Sequence, residues 1–493
     1  MKSIKFFLAI TAMTMLIGSC DKIKDFGDTN VNPGVTPTPS TAALLTNVIS
    51  GLGGFASNTT GALYAQHISE TQYTEVSLYA LPKSDFDGIY AASLYDLQNI
   101  ININTDATTK TQGSVTKFGS NNNQIAIARI LKAYTFWTIT DRWGDIPYSE
   151  AFKGNGNLTP KYDKQEDIYK DLVKELTEAK AQFETTGAPA LGDIMYYKPG
   201  TPLTTTTVAW ATVVGRWKRF ANSLRMLIAL RTSKVYPNAG DWAATAFAAA
   251  FNDADGYITV NTDNFVLNYA GNVSAFRNPW YNLYNGRTDY AESKVMTDYM
   301  AAYADPRQAS YGSNANGFPY GLTRDQAIAL PTNYAKVLAD AKRTTTAPYF
   351  IVAAANVALA IAEAAQRGWI TASAVTWYQN GITAAWAQWG VTGVIATYYA
   401  NPNVDLATNA LQKIQFQQYL AYFPDGIQAW SNWRRTGVPA LVPTPNATNT
   451  SKQIPRRYVY GAHEYSLNTA NVTGAAALYS NDSPDGRIWW DKP

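Results

Sequence analysis

The chain has 493 residues, of which 46% are hydrophobic and 16% charged, with a formal net charge of +3. This balance supports a large buried core and excludes the high charge and low hydrophobicity of a disordered protein. The positive charge is spread without a long basic run, so the electrostatic footprint of a nucleic-acid-binding protein is missing.

The chain opens on Met1-Lys2-Ser3-Ile4-Lys5, an apolar stretch over residues 6–17, and Gly18-Ser19-Cys20. A positive start, a short apolar run and small residues before the cut make residues 1–19 a secretory leader, and a cysteine directly after the cut reads as a bacterial lipobox. The apolar stretch falls short of the roughly 20 residues a spanning helix needs. Cys20, the only cysteine, is therefore expected to carry a lipid anchor. Two or three acyl chains hold a protein on a bilayer stably where one binds marginally. No second cysteine is left for a disulfide, so packing alone must stabilise the exported body. Residues 20–40, with Asn32-Pro33-Gly34 and Thr36-Pro37-Thr38-Pro39, have the composition of an extended tether.

From residue 41 the pattern turns helical, and no linker splits residues 41–493 into two domains. Ile125, Ala128, Leu131, Lys132, Thr135, Phe136 and Ile139 follow the three-and-four spacing of an amphipathic helix. Ile168, Leu172, Leu176, Ala179 and Phe183 give a second, with Glu166 and Asp167 at its N-terminal end, where the helix dipole favours them. A third is predicted over 208–234, capped by the threonines at 204–207. Three more follow at 348–366, 373–389 and 405–422. Small residues around Ala360-Ile361-Ala362, a tight Arg367-Gly368 turn and a following helix have the logic of tetratricopeptide pairs, without a strict repeat period. Short strands are predicted at 257–260 and 265–267. Long Gly-, Pro-, Thr- and Asn-rich loops lie at 110–123, 187–207, 311–320 and 436–454. The fold class is thus mainly α, with degenerate helix pairs, long loops and a few short strands.

Enzyme signatures are missing. With His67 and His463 the only histidines, no two- or three-imidazole site can form, and HExxH is absent. No GxSxG elbow, Walker loop or GxGxxG fingerprint occurs, and nothing selects a pair of carboxylates for glycosidase chemistry. His67, on a helical stretch, reads as a structural residue. Asn252-Asp253-Ala254-Asp255-Gly256 lacks an EF-hand's first and twelfth ligands, Phe251 and Thr262 standing there, so it reads as a turn. No catalytic residue, metal or cofactor is assigned.

Four stretches are more particular than core composition requires. They are Thr140-Asp141-Arg142-Trp143-Gly144-Asp145-Ile146-Pro147-Tyr148, Arg216-Trp217-Lys218-Arg219-Phe220, Phe423-Pro424-Asp425-Gly426 leading to Trp433-Arg434-Arg435-Thr436-Gly437, and Ile454-Pro455-Arg456-Arg457 with Glu464-Tyr465-Ser466-Leu467-Asn468. With the lipobox and Phe26-Gly27-Asp28-Thr29-Asn30-Val31-Asn32-Pro33, they resemble the SusD/RagB-type nutrient-binding outer-membrane lipoproteins of Bacteroidota, in their second large SusD-like branch. The resemblance covers essentially the whole mature chain. It implies a helical fold around four tetratricopeptide-like pairs and a surface location on the outer membrane. It also implies a SusC-like TonB-dependent transporter as partner, to which the lipoprotein delivers an oligosaccharide. The alternatives are a peptide-binding lid of the RagB kind and a scaffold that chiefly grips the transporter.

Within these motifs, Trp430, Trp433, Arg434 and Arg435 read as a lock for the C-terminal segment, and Trp143 as a packing residue with a secondary claim to ligand contact. The stronger ligand candidate is Asn278-Pro279-Trp280-Tyr281-Asn282-Leu283-Tyr284-Asn285-Gly286-Arg287. Pro279 and Gly286 are expected to keep it off a helix and place its rings on a loop, where recognition residues concentrate. Sugar C–H faces stack on aromatic rings, and Asn or Arg side chains bond sugar hydroxyls. Trp280, Tyr281, Asn282, Tyr284 and Arg287 are the candidate contacts, with Tyr73 and Tyr79, near Glu70-Thr71-Gln72, as weaker ones.

Overall fold

The α4 helix, Asn121–Trp143, realises the first amphipathic stripe and runs through the middle of the protein, with nearly all of its residues buried. It belongs to a computed structural model of the chain that describes residues 39–80, 84–197 and 208–493. The leader, Cys20, most of the tether and the threonines at 204–207 lie outside the described residues. Upstream of α4 lie α1 (Thr41–Ala56), α2 (Thr59–Tyr64) and α3 (Tyr95–Thr105). Downstream follow α5 (Gln165–Ala181), α6 (Trp210–Arg231), α7 (Trp242–Phe251), α8 (Lys294–Ala302), α9 (Ala354–Gln366), α10 (Ala374–Trp389), α11 (Ala410–Ala421) and α12 (Gly426–Thr436). The pairs α4/α5, α6/α7, α9/α10 and α11/α12 each pack on one another, and α3 on α4, α5 on α6 and α9 on α11 join them into one compact unit over Thr41–Pro493.

Small residues let α9 and α10 approach closely. A Cβ at Gly381 of α10 would lie 2.6 Å from the Leu359 side chain of α9, so only glycine fits that crossing. The two polar residues that interrupt the alanine-rich helix both have work in the interior. Asn356 accepts from the backbone N–H of Ala353 at 2.9 Å and donates to Ala421 O at 3.2 Å. Glu363, fully buried, receives both guanidinium arms of Arg435 at 2.6 and 2.7 Å, Arg367 at 2.8 Å, and the amides of Gln415 and Gln418. No helix among the described residues is long and apolar enough to cross a membrane.

Three two-stranded antiparallel ladders complete the fold: β1 (Ile68–Glu70) with β5 (Tyr290–Glu292), β2 (Ile146–Pro147) with β3 (Tyr162–Asp163), and β4 (Phe265–Leu267) with β6 (Tyr349–Val352). The strand at 265–267 is where the alternation places it, whereas residues 257–260 form no strand. The expected helix start at 348 is also corrected. Tyr349–Val352, rich in β-branched and aromatic residues, pairs with β4 before α9 begins. Asp253 and Asp255 of the turn at 252–256 are paired with Lys180, Lys218 and Arg225. His67 packs edge-on to Tyr419 at 4.4 Å, and burial takes its pKa down to about 3, leaving a neutral packing residue.

Burial raises the Glu363 carboxyl, and the Arg435 and Arg367 guanidiniums more than reverse this, holding it far below the usual carboxylate range. That stabilisation is fully present above the unfolded-state pKa and is lost progressively as pH falls from there through the lower folded-state pKa. Glu363→Gln leaves Arg435 buried without its counter-charge and is expected to lower the unfolding free energy by about 3–5 kcal/mol in urea titrations at neutral pH. A loss below about 1 kcal/mol, the range of a surface pair, would contradict a buried ionic clasp between α9 and α12.

Candidate functional site

The β1–β5 ladder joins two segments far apart in sequence. Ile68 faces Glu292 and Glu70 faces Tyr290, and the pairing runs on as Thr71 N–H donates to Asp289 O at 2.9 Å and Thr71 Oγ1 to Thr288 O at 2.5 Å. Tyr73 is thereby brought to Arg287, two of the candidates read separately from the sequence. The Arg287 guanidinium carbon stands 5.6 Å from the Tyr73 ring centre and that of Arg324 5.1 Å. Tyr73 remains 41% exposed.

The segment after Asn278 forms a short helix, Pro279–Leu283, instead of the open loop expected from Pro279 and Gly286. The Asn278 side chain accepts from Trp280 N–H at 2.9 Å, and Pro279 occupies the first helical position, where its missing N–H costs nothing. This turn drives Trp280 into the core, 0% exposed, and so corrects its reading as a ligand contact. Trp143 is likewise 1% exposed, its indole N–H donating to Ser84 O at 2.9 Å, and presents no ring face to solvent. Tyr79 is buried too.

Tyr281 and Tyr284 stay half-buried, and the Arg277 guanidinium stands 5.9 Å from the Tyr281 ring centre. The Tyr284 hydroxyl donates to Tyr290 O at 2.9 Å and accepts from Val337 N–H at 2.8 Å, so its polar tip is engaged and only ring area remains for a ligand. Arg343 lies 4.5 Å from that ring centre, and donates to Val337 O at 2.8 Å. Asn282 is tied to Ser274 O at 2.8 Å, and exposed Arg287 to Asp289 at 2.5 Å. A groove of about 470 Å³ runs between Tyr281, Tyr284, Asn285, Lys336, Arg343 and Thr344. Tyr281 and Tyr284 line this groove, whose wall at Gly286 leads in sequence to Arg287 and so to Tyr73; in this loop platform Asp340 pairs with Arg343 and Asp289 with Arg287. Arg324, Lys336 and Arg343 escaped the sequence reading because they arrive from residues 320–345, which carry no aromatic cluster of their own.

Two carboxylates lie in the ladder that carries this platform. Burial pushes Glu292 up to about 8, partly offset by the Gln308 amide, which donates to it at 2.7 Å. Burial likewise takes Glu70 up to about 7, against the Ser77 N–H and hydroxyl at 2.8 Å.

A family model described as starch-binding associating with outer membrane matches residues 33–461. The chain belongs to the SusD-like family. Similar solved structures include a chitin-binding protein at 27% identity and TM-score 0.74, covering 92% of this chain and 100% of that one. A chitin-binding SusD homologue from Flavobacterium johnsoniae follows at 25% identity and TM-score 0.73, covering 92% and 98%. A SusD homologue from Bacteroides uniformis, at 24% identity and TM-score 0.76 over 92% and 99%, shares the fold. Among curated proteins no match is found. The helix pairs, short strands and long loops of this SusD-like chain are those of the family fold, as the sequence resemblance implies.

Trp280→Ala is expected to lower stability by about 3–5 kcal/mol, as for other buried large aromatics, read as a shift in the denaturant midpoint. The Glu292 contribution is fully present below the unfolded carboxyl pKa of about 4.3 and disappears as pH rises through about 8. Melting temperature should therefore fall across that window, and less so in Glu292→Gln. Parallel curves for the two proteins would mean that Glu292 is ionised throughout.

Proposed function

We propose that this chain is a lipid-anchored, non-catalytic protein of the outer membrane that captures an oligosaccharide on the platform of Tyr73, Tyr281, Tyr284 and Arg287 and delivers it to a SusC-like TonB-dependent transporter. The observation that carries the reading is the groove lined by the partly exposed rings of Tyr281 and Tyr284 beside Asn285, Lys336 and Arg343, with the β1–β5 ladder bringing exposed Tyr73 to Arg287, the residue after Gly286 of its wall. Pyranose rings offer C–H faces to such rings and hydroxyls to the Asn and Arg groups around them. Family membership supports a glycan ligand and the outer membrane, and the two chitin-binding neighbours favour oligomers of an N-acetylated amino sugar as the first ligands to try. The lipobox at Cys20 supports the anchor and the 20–40 tether the reach.

Calorimetric titration with chito-oligosaccharides, malto-oligosaccharides and peptides tests the platform. Tyr281→Ala is expected to weaken the glycan by about fivefold, the worth of one stacking contact. Binding of peptides alone would favour the peptide-lid alternative, and an unchanged glycan affinity in Tyr281→Ala would remove the platform from the site. Cys20→Ser is expected to release the protein from washed membranes, and a variant that stayed bound would refute the anchor.

A further inference from the structure

A second cavity, of about 420 Å³, opens between α3, α4 and α5 and shares no residue with the loop platform. Its volume lies within the range of about 300–1,000 Å³ typical of small-molecule sites and gives room for one or two sugar rings. One wall is a single stripe of α4 on which Arg129, Lys132 and Phe136 follow one another at three- and four-residue spacing. Gln98 and Asn102 of α3 and Asp171 and Glu175 of α5 face it. Phe152, on the segment after β2, also lines it. Its backbone is left-handed, φ 65°, and its ring stacks on Tyr90 at 5.8 Å. A phenylalanine rarely adopts that conformation, which persists where the surroundings over-determine it, often at ligand sites.

The charges lining the cavity are unevenly satisfied. Glu175 is paired with Arg129 at 2.9 Å, and Asp171 accepts from the Tyr148 hydroxyl at 2.6 Å. Lys132 is different. Among the described residues it forms no ion pair; its one hydrogen bond within the protein goes to the neutral Gln98 Oε1, at 2.6 Å. Its ammonium stands 5.8 and 5.6 Å from the ring centres of Phe136 and Phe152. Burial lowers its pKa, with the Glu175 charge offsetting part of the effect. An ammonium has three N–H donors and one is used, so two remain for an acceptor in the cavity.

We propose that this cavity is a second ligand site that takes a carboxylated sugar, its carboxylate on Lys132 Nζ, its C–H face on Phe152 and its hydroxyls on Gln98, Asn102 and Asp171. A carboxylate supplies the counter-charge that Lys132 Nζ lacks, and Lys153, which also lines the cavity and forms no ion pair among the described residues, adds to the attraction for an anion. The carboxylates of Asp171 and Glu175 accept from sugar hydroxyls, and phosphate, which has no C–H face for Phe152 and few donors for these acceptors, is the poorer fit. A neutral sugar would leave Lys132 desolvated without a counter-charge.

The test is titration of the full chain with glucuronate, glucose and inorganic phosphate, followed by calorimetry. Glucuronate is expected to bind, with glucose and phosphate weaker by at least about tenfold. Lys132→Met should weaken glucuronate by about ten- to a hundredfold, the loss of one charge-assisted hydrogen bond, while chito-oligosaccharide binding at the platform stays unchanged. Phe152→Ala, on a loop, should weaken glucuronate several-fold and serves if Lys132→Met fails to fold. Equal affinity for glucuronate and glucose, no glucuronate binding, or an unaltered affinity in either folded variant overturns the site. The two sites share no residue, so either reading can fail alone.

Discussion

A buried guanidinium ties the ends of this fold together. Arg434 of α12 lies 3.7 Å from the Trp430 ring centre and 4.7 Å from that of Trp490, and donates to the backbone oxygens of Asp141 at 2.6 Å and Arg456 at 2.7 Å. Burial lowers its pKa to about 9, and the carboxylates of Asp491 and Asp141 counter part of that loss. The Asp141 side chain in turn accepts the Trp490 indole N–H at 2.9 Å and faces Arg231 of α6 at 3.6 Å. One cation therefore fixes the end of α4, α12 and the C-terminal segment. Delocalised, weakly hydrated guanidinium is suited to this because it can stack on two indoles and bond carbonyls at once.

The same region explains why the sequence motifs are so particular. Gly144 ends α4 with φ 90° and its N–H on Thr140 O at 2.8 Å, and a Cβ there would meet the Tyr479 ring at 2.6 Å. Asp145 accepts from that tyrosine's hydroxyl at 2.6 Å and from Gln165 N–H at 2.9 Å, which sets the start of α5. Side chains constrained by packing, cap geometry and buried charge at once tolerate few replacements. The motif residues are therefore scaffold, and this scaffold holds the loops.

How far the chain was legible follows from the range of the interactions. Local periodicity located α4, α5, α6, α9 and α10 to within a few residues, except where Tyr349–Val352 turned a predicted helix start into a strand through its pairing with Phe265–Leu267. The lock by Arg434 was readable from its neighbours Trp430 and Trp433, but its second ring, Trp490, was not, because nothing local distinguishes a buried tryptophan near the terminus from an exposed one. The ladder that brings Tyr73 to Arg287 spans more than two hundred residues and leaves no periodic trace. Trp280 was misread for the same reason that made the segment stand out. A cluster of large rings marks either a ligand face or an anchor, and only the turn in which they sit decides between them.

At Asn278 that turn supplies both. Successive residues of a helix point about 100° apart, so once Asn278 and Pro279 start a helix, Trp280 can face the core while Tyr281 faces outward. Tyr284, four residues on, returns almost to the side of Trp280, which is why its hydroxyl is held by Val337 and Tyr290 while its ring edges the groove. Asn282, on the remaining side, ties the helix to Ser274. The buried indole thus fixes the position and rotation of the rings beside it, and a binding face on a connecting segment gains the rigidity of the core below. Removing Trp280 would loosen Tyr281 and Tyr284 together, whereas changing Tyr281 alone alters the surface without disturbing its mounting.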